Sequence, residues 1–103
     1  MEFIETSIFT KQITNLISDE DYQLLQLSLA ENPEAGDVIS GGLRKLRWSG
    51  SGRGKRGGIR VIYYFINQLG QVYMIFAYPK NQQDNLTDNQ LKQLRKLVEE
   101  NLL

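Results

Sequence analysis

Residues 59–67 read IRVIYYFIN, a run of β-branched and aromatic side chains carrying a single charge, Arg60. Such residues favour a pleated, packed surface. Side chains alternate along a strand, so Arg60 shares a face with Ile62, Tyr64 and Ile66, and the opposite face is equally apolar. A strand that is apolar on both faces has to be covered on both sides, which makes it the centre of a sheet. Residues 67–70 read as a hairpin turn, and Gln71 to Tyr78 returns as a second, mostly apolar strand that Pro79 ends. Upstream, Leu43 to Trp48 alternates, with Leu46 and Trp48 on one face and Lys45 and Arg47 on the other. Its basic face fits an edge strand against water or a surface prepared for phosphates.

The flanks are helical. Met1 to Glu5 reads as a short strand. Thr6 or Ser7 caps a helix in which Ile8, Phe9, Ile13, Leu16 and Ile17 recur at helical spacing. Ser18 with Asp21 opens a second helix, striped by Tyr22, Leu25, Leu29 and Leu24 and ended by Asn32-Pro33. Glu34 to Gly42 reads as a loop anchored by Val38 and Ile39. Thr87 with Gln90 makes a capping box for a last helix carrying Leu91, Leu94, Leu97, Val98 and Leu102. Two helices, a three-strand meander and a final helix define an α+β domain. At 103 residues it is one domain, able to bury roughly 65% of its unfolded surface around one core.

Composition removes several chemistries. The chain has no cysteine and no histidine. Disulfides, thiolate sites, histidine-dependent triads and most zinc sites are therefore excluded. Acid–base work near neutral pH falls to lysine, tyrosine or carboxylates, or is replaced by electrostatics. No carboxylate pair forms a metal-site pattern, so neither metal nor cofactor is expected. No stretch approaches the ~20 apolar residues of a membrane span, and the acidic N-terminus lacks a signal pattern. A cytoplasmic location is the expectation.

The formal net charge of zero hides a polar distribution. Arg44, Lys45, Arg47, Arg53, Lys55, Arg56 and Arg60 lie within eighteen positions, and Lys80 extends the set; no acid lies between Val38 and Gln83. Residues 1–37 hold eight acids and only Lys11 as a base. A concentrated patch of one sign attracts a polyanion even on a neutral protein. Residues 52–57, GRGKRG, match a dinucleotide-binding spacing, but a strand follows where that motif needs a helix. A phosphate-binding Walker loop fails as well, because Arg56 stands where Ser or Thr is required. What remains is a basic, glycine-rich hairpin in which arginine offers bidentate donors to phosphate. Tyr63 and Tyr73 read as core residues. Tyr78, at a strand end beside Lys80, suits core packing and function equally.

These segments together resemble a known family. GGLRKLRW at 41–48, GRGKRGGIRVIYYF at 52–65, Tyr78-x-Lys80-Asn81, and Asp84-Asn85-Leu86-Thr87 opening the last helix are similar to the HigB-like branch of the RelE toxin superfamily. The resemblance covers nearly the whole chain, and the GKRGGIRVIYY segment is its most specific part. It implies a small, mostly antiparallel sheet with helices packed on one face. It implies a toxin of a type II toxin–antitoxin system, a metal-independent endoribonuclease that cuts mRNA on the bacterial ribosome and blocks translation. It also implies a silencing antitoxin, expected to be a small helix-turn-helix protein. By motif, Lys45 and Arg47 match the RNA-contacting strand, Lys55 and Arg56 the basic loop, Arg60 the central-strand arginine and Lys80 the base after the third strand. The chain departs from the pattern at Pro79, at Asn81 where a second base stands in RelE, and in lacking a counterpart of the RelE C-terminal tyrosine.

The implied reaction is attack of a ribose 2′-OH on the adjacent phosphate. It calls for a proton acceptor, donors for the developing charge and help for the leaving oxygen. Arg60 is the expected charge-stabilising residue, read here as a solvent-facing side chain held by its strand. Lys45, Lys55 and Lys80 are the expected proton carriers, with Tyr78 behind them, and Arg44, Arg47, Arg53 and Arg56 the expected RNA contacts. Two other functions fit the same sequence: a non-catalytic nucleic-acid-binding regulator derived from such a toxin, or a basic face that binds only an acidic partner segment.

Overall fold

The computed structural model describes residues 1–49 and 58–101. Its elements are β1 (Glu2–Glu5), α1 (Ser7–Leu16), α2 (Asp19–Glu31), β2 (Asp37–Ser40), β3 (Leu43–Trp48), β4 (Ile59–Ile66), a 3-10 turn (Asn67–Leu69), β5 (Gln71–Pro79) and α3 (Asp88–Asn101). The strands form one sheet in the order β1-β5-β4-β3-β2, with β1 parallel to β5 and the other pairs antiparallel. This is the α+β domain implied by the sequence, with β4 at its centre. No described helix is long and apolar enough to cross a membrane.

Three details differ from the sequence reading. The segment from Glu34 to Gly42 is not all loop, because Asp37–Ser40 pairs with β3 as an edge strand. With only four residues, and with Val38 exposed, it has no hydrophobic alternation to give it away. β3 is consequently an interior strand rather than an edge. Gly41 and Gly42 both take positive φ, as a two-residue hairpin turn requires. The helices also divide between the two faces instead of sharing one. Phe9, Ile13, Leu25 and Leu29 of α1 and α2 pack with Val61, Tyr63 and Met74 on one side. Val98, Leu91 and Leu94 of α3 pack with Ile62 and Ile75 on the other. Both faces of β4 are apolar, so both need cover; each fully buried aliphatic or aromatic side chain contributes about 1.5–3 kcal/mol.

The helix stripes come out narrower than their sequence spacing. Ile8 and Leu24 are exposed, and Phe9, Ile13, Leu25 and Leu29 supply the buried contacts. All three start signals work. Thr6 accepts from the Phe9 amide (3.0 Å), and Ser18 accepts from the Asp21 amide (3.1 Å). Thr87 and Gln90 exchange two hydrogen bonds, each side chain accepting from the other's amide at 3.1 and 2.9 Å.

The feature that positions the site is a β-bulge in β5. Ile62 pairs with Phe76 but Tyr63 pairs with Met74, which leaves Ile75 as an extra residue. An extra residue reverses side-chain alternation beyond it. Without it, Tyr78 would point to the α1/α2 face; with it, Tyr78 lies opposite Arg60 on the α3 face. The bulge is tied to α1 through Thr6, whose hydroxyl donates to the Ile75 carbonyl (2.9 Å) and whose amide donates to the Met74 carbonyl (3.0 Å). Beyond the reach of β1, the Ala77 amide donates to the Gln12 side chain (2.8 Å).

Candidate nucleic-acid interface

Strand register assembles the basic residues. Arg47 pairs with Arg60 and Arg60 with Tyr78, which gives a row across β3, β4 and β5 on one face. Lys45 stands in the next row, opposite Ile62. Lys80 follows β5 directly, and its amide donates to the Gly58 carbonyl (3.1 Å). Gly58 cannot carry a side chain: it has a φ of 59°, and a Cβ there would stand 2.3 Å from the Trp48 carbonyl oxygen. That close approach brings the start of β4 against the end of β3, where Arg47 and Arg60 face the same way.

The segment between β5 and α3 lies over this row. Arg60 Nη2 donates to Asp84 Oδ1 at 3.1 Å, an ion pair, and Arg60 Nη1 donates to the Ile59 carbonyl at 3.3 Å. The Tyr78 hydroxyl donates to the Asp84 carbonyl at 3.2 Å. Lys45 Nζ donates to Asn85 Oδ1 at 2.6 Å. Leu86 then plugs into the α3-side core.

The expectation of a solvent-facing Arg60 is corrected here. The residue is 5% exposed, and its charge is balanced by Asp84, whose side chain is 54% exposed. The residue 24 positions downstream that covers it could not be foreseen from the strand's own alternation. The hydrogen bond from Arg60 holds the Asp84 carboxyl below its ordinary range, and the charges of Lys45 and Lys80 act in the same direction. Burial pushes the Tyr78 phenol above its ordinary value, partly offset by the charge of Arg60.

Of the sequence-derived site residues, Lys45, Arg47, Arg60, Tyr78 and Lys80 come together. Arg44 does not. It points to the α1/α2 face, donates to the Glu34 and Gly36 carbonyls (3.2 and 2.8 Å) and pairs with the Glu34 carboxylate at 3.6 Å. Arg53, Lys55 and Arg56 lie outside the described residues. The sequence reading gave no site role to Asp84 or Asn85. One signal was available: Asp84 is the first acid after Asp37, directly behind the acid-free basic stretch.

The arrangement is a sheet face with four described cations near one another, a buried arginine among them, and a neutral phenol at its border. Such a face can bind a phosphodiester and stabilise added negative charge. A protein-family comparison agrees with it. The family model described as the RelE toxin of the RelE/RelB toxin–antitoxin system matches residues 3–102, and the chain belongs to that toxin family.

Proposed function

We propose that this toxin is a ribosome-dependent endoribonuclease of the HigB-like branch, acting on mRNA in the bacterial cytoplasm without a metal ion. The observation that supports this most is the row Arg47, Arg60, Tyr78, flanked by Lys45 and Lys80, on one face of a rigid sheet. In the reaction, the 2′-oxygen bonds to phosphorus and loses its proton to a base. The bond from phosphorus to the 5′-oxygen breaks, and that oxygen gains a proton. The products are a 2′,3′-cyclic phosphate and a 5′-hydroxyl.

Arg60 and Arg47 offset the charge that builds on the phosphorane, and fixed donors in a partly dry site are worth more than donors in water. Lys45 and Lys80 carry protons in and out, with Lys55, which lies outside the described residues, as a third candidate from the sequence. Tyr78 acts as a neutral donor, because burial disfavours its phenolate. Arg53 and Arg56 bind flanking phosphates. The silencing partner is a small helix-turn-helix antitoxin that covers or distorts the basic face. An alternative anchor for it is the recess of about 450 Å³ lined by Leu24, Leu27 and Trp48.

One observation favours a second reading, that of a non-catalytic RNA-binding regulator: the key arginine is buried and already engaged by Asp84. Translating ribosomes incubated with the pure protein separate the two. Cleaved mRNA ending in a cyclic phosphate, lost with Arg60→Ala, is the expected result. Intact mRNA together with salt-sensitive RNA binding would leave only the regulator.

A further inference from the structure

A phosphate cannot reach Arg60 in the free protein as it stands. The residue is 5% exposed, and its guanidinium is engaged by Asp84 and by the Ile59 carbonyl. The Ile59 carbonyl belongs to β4 and cannot leave. Asp84 can: it lies in the irregular stretch between β5 and α3, and half its side chain is open to water. We propose that the Asp84 carboxylate is an internal stand-in for RNA phosphate, occupying the anion position on Arg60 beside Lys45 and Lys80 until a phosphodiester displaces it. The inference rests on the RNA-binding reading above and adds to it the way the site is kept closed.

The chemistry of the exchange is balanced. A carboxylate and a phosphodiester are both anionic acceptors for a guanidinium, so Arg60 keeps a counter-charge throughout and is never left buried and bare. The same segment also holds Lys45 through the Asn85 side chain (2.6 Å), so lifting it removes the Asp84 contact from Arg60 and the Asn85 contact from Lys45 together. Its ends have anchors that need not move. At one end the Lys80 amide is bonded to the Gly58 carbonyl, and at the other Leu86 is buried ahead of the Thr87–Gln90 capping box. Two further tethers hold it: the Tyr78 hydroxyl donates to the Asp84 carbonyl, and Gln83 Nε2 donates to Gln90 Oε1 of α3 (2.9 Å). The described bonds that have to break each involve a side chain, and no strand or helix hydrogen bond is among them. Neutralising Asp84 while keeping its shape should therefore favour phosphate binding. If Asp84 instead served to orient Arg60 for catalysis, the same change would weaken it.

The test uses the full chain with a 2′-deoxy RNA trinucleotide, which cannot be cleaved, and with inorganic phosphate as a second probe, both followed by calorimetry. Asp84→Asn should bind each probe about fivefold more tightly than wild type, the scale set by losing one half-exposed ion pair. Asn85→Ala should give a smaller gain in the same direction. Adding Arg60→Ala to Asp84→Asn should abolish the gain. Equal or weaker binding by Asp84→Asn overturns the proposal, as does an Asp84→Asn protein that no longer melts cooperatively, because Asp84 would then be a structural counter-charge. The ribosome assay is read separately. A wild type that cleaves, with no tightening in Asp84→Asn, removes the stand-in and leaves the nuclease. Tightening without cleavage by wild type does the reverse.

Discussion

The two faces of the sheet use the same residue types to opposite ends. On the α1/α2 face, polar groups are consumed by the fold. Arg44 clamps the Glu34–Gly36 backbone, the Tyr63 hydroxyl sits between the Pro33 carbonyl (2.8 Å) and the Gly36 amide (2.9 Å), and Trp48 Nε1 donates to Asp21 (3.3 Å). On the α3 face, Lys45, Arg47, Arg60 and Lys80 converge, and the bonds described to them from the covering segment come from side chains of an irregular stretch. Arg44 and Lys45 are neighbours in sequence, yet strand alternation sends one into structure and the other toward the site. Among the described residues, a basic run read as one patch thus divides between the two faces, and the contacts to the covering segment on the α3 face are the ones proposed to exchange.

The strongest way to break this comparison is to truncate one arginine on each face. Arg60→Ala should cut mRNA cleavage about 100-fold or more, the scale of losing one charge-stabilising donor. It should also lower stability by about 1–3 kcal/mol, since a buried, paired side chain is lost. Arg44→Ala should cost about 1 kcal/mol in a urea melt and leave cleavage per folded molecule within a few-fold of wild type. Equal activity losses for the two would mean that the faces are not separated in function.

A finer comparison uses the two hydroxyls. Tyr63→Phe strands a part-buried carbonyl and a buried amide and should destabilise by about 1–3 kcal/mol without changing cleavage per folded molecule. Tyr78→Phe loses one bond, to a half-open segment, and should cost less stability, no more than about 1 kcal/mol. If its phenol is a neutral donor, cleavage should keep its pH dependence. A lost or displaced pH limb in Tyr78→Phe would restore the phenol as a proton carrier.

How much of this could be read from the sequence depends on how local its cause is. The central position of β4 was legible because both parities of 59–66 are apolar. The caps at Thr6, Ser18 and Thr87 were legible because capping is a contact over three residues. The split of β3 into Leu46 and Trp48 against Lys45 and Arg47 followed from alternation alone. The bulge at Ile75 was not legible. Met74, Ile75, Phe76 and Ala77 are all apolar, so nothing in them marks where alternation reverses. The cover of Arg60 was hidden for a different reason: Asp84 is 24 residues away, and only the folded chain brings it back over β4. Edge strand β2 escaped because four residues hold too little pattern to distinguish from loop.

The smallest effect concerns acid. Arg60 holds the Asp84 carboxyl below its ordinary value of 3.8, chiefly through its hydrogen bond and also through its charge, with Lys45 and Lys80 adding to it and partial desolvation opposing it. A carboxyl whose pKa is lower folded than unfolded binds fewer protons in the folded state. Its contribution to stability is therefore complete above about pH 4 and fades as pH falls through the lowered folded value. Melting temperatures measured from pH 6 down to pH 2 should therefore fall slightly more steeply for wild type than for Asp84→Asn. The gap between the two should narrow toward the acid end, as the wild-type carboxyl begins to take up its proton. A gap that stays constant across that range would place the stabilisation in the shape of the segment rather than in the charge of Asp84, and the exchange of one anion for another on Arg60 would lose its electrostatic basis.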